Sequence, residues 1–107
     1  MRKLPKLSFI TPEKRRVYLL EDEIVINNRK LNELIIDPHY EIKHSSYIND
    51  ELIYNLSLLL NYKRFIPKDR KEKWEYFDIE ISYNDSSYLL VWCLEDNENY
   101  IGIVNCY

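Results

Sequence analysis

The chain of 107 residues contains one glycine, Gly102, two cysteines, two histidines and no long apolar run. A single glycine excludes a glycine-rich phosphate loop and a GxSxG nucleophile elbow, because both need several glycines at fixed spacing. HExxH and paired-carboxylate motifs are also missing. Cys93 and Cys106 are too few for a disulfide framework. In the C-terminal hairpin expected below they stand about four residues out of register, roughly 13 Å apart at ~3.3 Å per residue and beyond the ~7 Å reach of a bridge. Reduced thiols in a cytoplasmic setting are therefore expected. Two Cys and two His without a CxxC pair give no zinc pattern, so neither metal nor cofactor is expected. No stretch nears the ~20 apolar residues of a membrane span. The opening MRKLPKLSFITPEKRR has basic residues but lacks the apolar core of a signal peptide.

What is present suits one folded domain over residues 1–107, since 46% of residues are apolar and 31% charged. The net charge of −3 is unevenly spread. Residues 1–16 carry Arg2, Lys3, Lys6, Lys14, Arg15 and Arg16 against Glu13 alone. Residues 61–73, NYKRFIPKDRKEK, form a second basic segment, whereas residues 74–107 hold no Lys or Arg. A polyanion would bind only where the two basic segments converge, because the acidic third repels it. The competing reading is a basic arm and a basic loop, each merely solvated.

RVYLLEDEIVINNRKL (16–31) reads as a β-ribbon, with Val17–Leu20 and Ile24–Ile26 flanking an acidic turn at Glu21–Asp22 and a second turn at Asn27–Asn28. Asp37–Pro38 can start a helix. NDELIYNLSLLLNY (49–62) repeats Leu52, Ile53, Leu56, Leu59 and Leu60 at helical spacing after a capping Asn49 or Asp50. The basic segment 61–73 reads as a loop. Trp74–Tyr83 then alternates Phe77, Ile79, Ile81 and Tyr83 against Asp78, Glu80 and Ser82. Tyr88–Leu94 is apolar on both faces, as a central strand would be, and Tyr100–Cys106 closes the sheet. The expectation is an α+β fold: an N-terminal β-ribbon, two helices, then a three-stranded antiparallel meander.

Both histidines lie in DPHYEIKHSS (37–46), with Lys43 between them. Metal-free RNA cleavage needs a base for the 2′-OH, an acid for the departing 5′-oxygen and a cation for the charge on phosphorus. Histidine supplies the first two and lysine the third. His39, Lys43 and His44 are the candidate catalytic residues. On a regular helix His44 is rotated about 140° from His39, so the two could serve one site only if the helix ends near Lys43 or if one histidine works with residues from the sheet. The competing readings are a surface residue at a helix start for His39 and packing beside tyrosines for His44. Ten tyrosines, among them Tyr83 and Tyr88, could stack on unpaired bases or simply bridge core and water.

The helix DELIYNLSLLL, the basic loop and WEYFDIEISYNDSSYLLVWCLEDNENYIGIVNCY together resemble the helix-plus-meander half of the RelE/ParE-type toxins. These belong to a broader group of small bacterial ribonuclease toxins with a barnase/EndoU/colicin/RelE-like core. The resemblance covers about the last 55–60 residues. It implies metal-independent RNA cleavage in a toxin–antitoxin or contact-delivered system, with RNA and a cognate antitoxin or immunity protein as partners and a homodimer left open. Such toxins usually carry basic residues on the sheet, and residues 74–107 carry none. Phosphate-binding charge would then come from Lys43, Lys63, Arg64, Lys68 and Arg70, and substrate contact from Tyr83 or Tyr88. The alternative is a non-enzymatic acidic protein-binding module, such as an immunity protein or phage-encoded inhibitor.

Overall fold

The computed structural model describes residues 2–107. They form β1 (Lys6–Ile10), β2 (Arg16–Ile26), β3 (Arg29–Ile36), α1 (Glu41–His44), α2 (Asp50–Leu58), β4 (Asp69–Lys71), β5 (Trp74–Tyr83), β6 (Ser86–Glu95) and β7 (Tyr100–Cys106). The strands make one seven-stranded mixed sheet in the order β1-β2-β3-β7-β6-β5-β4. This corrects the expected architecture. The N-terminal ribbon is not separate from the meander: β3 runs parallel to β7, with Leu34 beside Ile101 and Ile36 beside Ile103. Neighbouring residues reveal hairpins, whereas this pairing joins segments far apart in the chain and leaves no local trace. Both edge strands also lack a strand signal. Lys6–Ile10 lies between Pro5 and Pro12, and Asp69–Lys71 is three charged residues.

The acidic turn expected at Glu21–Asp22 is a bulge instead. Pairing steps from Leu19↔Glu33 to Ile24↔Leu31, so residues 20–23 swell out of a single continuous β2. The hairpin turn is Asn27–Asn28, with φ of 51° and 64°, and Asn84–Asp85 repeats the device at 48° and 65°. Asparagine and aspartate tolerate this left-handed region better than most residues, which lets a chain with one glycine turn tightly.

Helix α2 begins as expected. The Asn49 side chain accepts the Leu52 N–H at 2.8 Å, but the helix stops at Leu58 and continues as turns to Tyr62. It lies on one face of the sheet, where Ile24, Leu34, Ile36, Ile53, Leu56, Leu90, Leu94 and Ile101 are fully buried. Trp92 stacks on Phe77 at 4.1 Å and meets Phe65 edge-on at 5.3 Å. The N-terminal arm crosses the helix, since the Asn55 amide accepts from Arg2 N–H and donates to Arg2 C=O, both at 2.9 Å. Helix and arm together keep this face dry.

Among the described residues the opposite face carries no helix. Gly102 lies there beside Cys93, and a Cβ in its place would come within 2.9 Å of Cys93 Sγ and 3.3 Å of the Tyr100 ring. The glycine thus serves close approach between strands, not a turn. Cys106 sits opposite Leu90, three positions from Cys93 on β6, so the two thiols point to opposite faces and remain free. Among the described residues no helix is long and apolar enough to cross a membrane.

Candidate active site

The segment after β3 is tied down on both sides of His39. Asp37 accepts the His39 N–H at 2.9 Å, and Pro38 opens a 3-10 turn, Pro38–Tyr40, that runs straight into α1. Arg15 Nε donates to Asp37 at 2.9 Å, and Arg16 donates to Glu41 at 2.6 Å. Tyr40 OH donates to Asp50 Oδ1 at 2.7 Å, and Tyr18 OH donates to Asp50 Oδ2 at 2.6 Å. Arg16 reaches both Asp50 oxygens, at 2.5 and 2.8 Å. Asp50 thereby joins β2, the 3-10 turn and α2. Burial alone would raise its carboxyl pKa, but the hydrogen bonds from Arg16, Tyr18 and Tyr40 outweigh burial and hold it below the ordinary value. Burial, then the bond to Asp50, pushes both phenols upward.

This clamp presents His39, Ile42, Lys43 and His44 to the end of β7, where they line a cleft of about 300 Å³ with Asn105 and Tyr107. All three candidate catalytic residues therefore meet in one cleft. The reason is the shortness of α1: four residues rise only ~6 Å, so side chains at its two ends still reach the same space. His44 stacks on Tyr107 at 5.3 Å, and its Nδ1 lies 2.5 Å from Tyr47 OH. Among the described residues its Nε2 has no hydrogen-bond partner, and Lys43 has no ion pair. The cleft can thus offer imidazole nitrogen and ammonium to a bound group.

The other candidates lie elsewhere. Lys63 bridges to Ile26 beside the Asn27–Asn28 turn, so it and Arg64 sit at the far end of β3 from His39. Eight residues of strand make that roughly 23 Å. Lys68 is paired with Asp78 at 2.7 Å, and Arg70 with Asp96 and Glu75. Tyr83 and Tyr88 are half-buried against the core on the α2 side. The basic segments do not converge, because β1 and β4 are opposite edges of the sheet. The acidic third instead pairs three cations of the basic segment, Lys68, Arg70 and Lys73, the last with Glu95 at 3.2 Å, and leaves Lys63, Arg64 and Lys71 without an ion pair among the described residues.

A larger groove, about 500 Å³, opens beside the cleft on the uncovered face, with Arg15, Asp37, Trp74, Tyr76, Cys93 and Tyr100 among its walls. Its polar groups are already engaged with one another. Tyr100 OH donates to Glu95 at 2.6 Å and accepts from Trp74 Nε1 at 3.3 Å, while Arg15 holds Asp37. Burial pushes the Cys93 thiol up to about 11, which keeps it protonated and a poor nucleophile. Among the described residues no three His, Cys, Asp or Glu side chains group to hold a metal.

Sequence reasoning missed Asp50, which it took only as a cap, and did not single out Asn105, whereas the packing of His44 beside tyrosines that it weighed is seen with Tyr47 and Tyr107. An acidic residue at a helix start carries no sign that it will be buried. Asn105 gains meaning only once β7 lies beside α1. Compared with protein-family models, curated proteins and solved structures, the chain matches none of them.

Proposed function

We propose that the His39–Lys43–His44 cleft cleaves RNA without a metal, in the manner of a small bacterial ribonuclease toxin acting in the cytoplasm. The observation that carries this reading is the shared cleft: two imidazoles, one ammonium, the Asn105 amide and the Tyr107 ring line the same space. One imidazole removes the 2′-OH proton as that oxygen attacks phosphorus. The other protonates the departing 5′-oxygen, leaving a 2′,3′-cyclic phosphate and a free 5′-hydroxyl. Lys43 offsets the charge that builds on the phosphoryl oxygens. Tyr47 orients His44 through Nδ1, so Nε2 faces the substrate. With Lys43 as the cation lining the cleft and Lys63 and Arg64 at the far end of β3, the substrate that fits is a short unpaired strand rather than a duplex.

The test is cleavage of end-labelled single-stranded RNA by the purified protein in the presence of chelator, alongside His39→Ala and His44→Ala. Cyclic-phosphate ends from the wild type, lost in both variants, support the site. Equal inertness of all three proteins rejects it. The exposed Glu21, Asp22 and Glu23 of the β2 bulge would then favour an acidic module that caps a basic partner.

A further inference from the structure

The groove on the uncovered face and the cleft at α1 are parts of one surface. Val104 borders the groove, and the next residue, Asn105, borders the cleft. Across the strands, Cys93 of the groove stands beside Gly102, and Val91, two residues along the same face of β6, stands beside Asn105. Two residues of strand span about 7 Å, so a nucleic-acid strand held in the cleft passes its next nucleotide over the groove. Asp37 joins the two again, lining the groove while it accepts the His39 N–H at 2.9 Å.

What the groove offers is ring surface. Trp74 and Tyr76 share this face of β5, opposite Glu95 and Cys93, and both remain partly exposed. Trp74 Nε1 donates to Tyr100 OH at 3.3 Å, and that hydroxyl donates to Glu95, which fixes the indole. Charge does not oppose an anionic strand here. Arg15 answers Asp37 and Lys73 answers Glu95, with Lys73 Nζ also 5.0 Å from the centre of the Trp74 ring. Polar groups already engaged with one another do not read the edge of a base, whereas an aromatic ring stacks on any base. We propose that Trp74 and Tyr76 stack on the base next to the phosphate held in the cleft, so that the groove binds unpaired RNA whatever its sequence. This rests on the ribonuclease reading of the cleft.

Fluorescence anisotropy of an end-labelled short oligoadenylate tests the proposal, with His39→Ala as the background so that the probe stays intact. Binding is expected, together with quenching of Trp74 emission, since Trp92 is fully buried. Ribose 5-phosphate, which has no base, should not quench. Trp74→Ala and Tyr76→Ala should each weaken binding about tenfold, and Trp74→Phe and Tyr76→Phe, which keep a ring, should restore it to within about threefold. Tyr62→Ala, which removes an 80% exposed ring beside Val25, should change nothing. With His39 present, the two alanine variants should raise KM for cleavage about tenfold and leave kcat within about twofold. The quenching and its ribose 5-phosphate control need no variant in the groove, so the test holds even if an alanine variant fails to fold. Absence of binding, quenching that needs no base, or binding and KM indifferent to both alanine variants overturns the proposal, even where the cleft cleaves RNA. Base-dependent binding that follows Trp74 and Tyr76 in a protein that never cleaves supports the stacking surface and rejects the ribonuclease.

Discussion

The two openings on this molecule invite comparison. The groove over Gly102 is larger, about 500 Å³ against 300 Å³ for the cleft at α1, yet its polar groups spend their hydrogen bonds on each other. The cleft is smaller and leaves an imidazole nitrogen and an ammonium uncommitted. Room alone therefore does not make a candidate active site; unengaged groups gathered in one place do. Their support comes from Asp50, which touches neither opening.

The strongest way to break this contrast is to remove that support. Asp50→Ala should cost ~3–5 kcal/mol of unfolding free energy, because it leaves the Arg16 guanidinium and two phenols without their buried partner. Denaturant titration would read the loss, and RNA cleavage should fall with it as the 37–44 segment loosens. The same carboxylate gives an acid limb. Since its folded pKa lies below the ordinary 3.8, its contribution is complete above that value and disappears as pH falls through the folded one. Wild-type stability should thus decline below about pH 4, and Asp50→Ala should flatten that decline.

Next in size, His39→Ala or His44→Ala should lower the cleavage rate by ~10²-fold or more. The exposed His39 should move the unfolding free energy by no more than ~0.5 kcal/mol, so chemistry and stability separate there as they do not at Asp50. Gly102→Ala should act in the opposite sense. Its Cβ meets Cys93 Sγ, so ~1–3 kcal/mol of stability should be lost to overpacking with cleavage intact. Pairing it with Cys93→Ala should recover most of that loss. The smallest effect belongs to Arg70→Ala. Its pairs with Asp96 and Glu75 are solvent-exposed, so neither the denaturation midpoint nor RNA binding should change measurably.

These contrasts also explain what the amino-acid order foretold. The β5 alternation, the capping Asn49 and the Asp37–Pro38 start are local patterns that appear where expected; the α2 stripe holds through Leu56, but the helix ends at Leu58 and leaves Leu59 exposed. His39, Lys43 and His44 line one cleft because α1 ends at His44 and the end of the sheet adds Asn105 and Tyr107, and the residue spacing left both routes open. What stayed hidden depends on distant partners. Lys68 and Arg70 look like phosphate ligands until Asp78 and Asp96 are folded beside them, and Tyr83 and Tyr88 look like stacking platforms until the core claims them. The parallel joint between β3 and β7 has no signature in either strand, and without it the ribbon and the meander read as separate pieces.

That joint also governs when the cleft can exist. His39 and His44 come from the first half of the molecule and Asn105 and Tyr107 from the last three residues of the chain, so neither half alone forms the pocket. A chain still emerging from the ribosome would carry its histidines on a surface turn with no cleft beside it. Only docking of β7 against β3 completes the cleft, which ties any chemistry proposed there to the completion of the sheet.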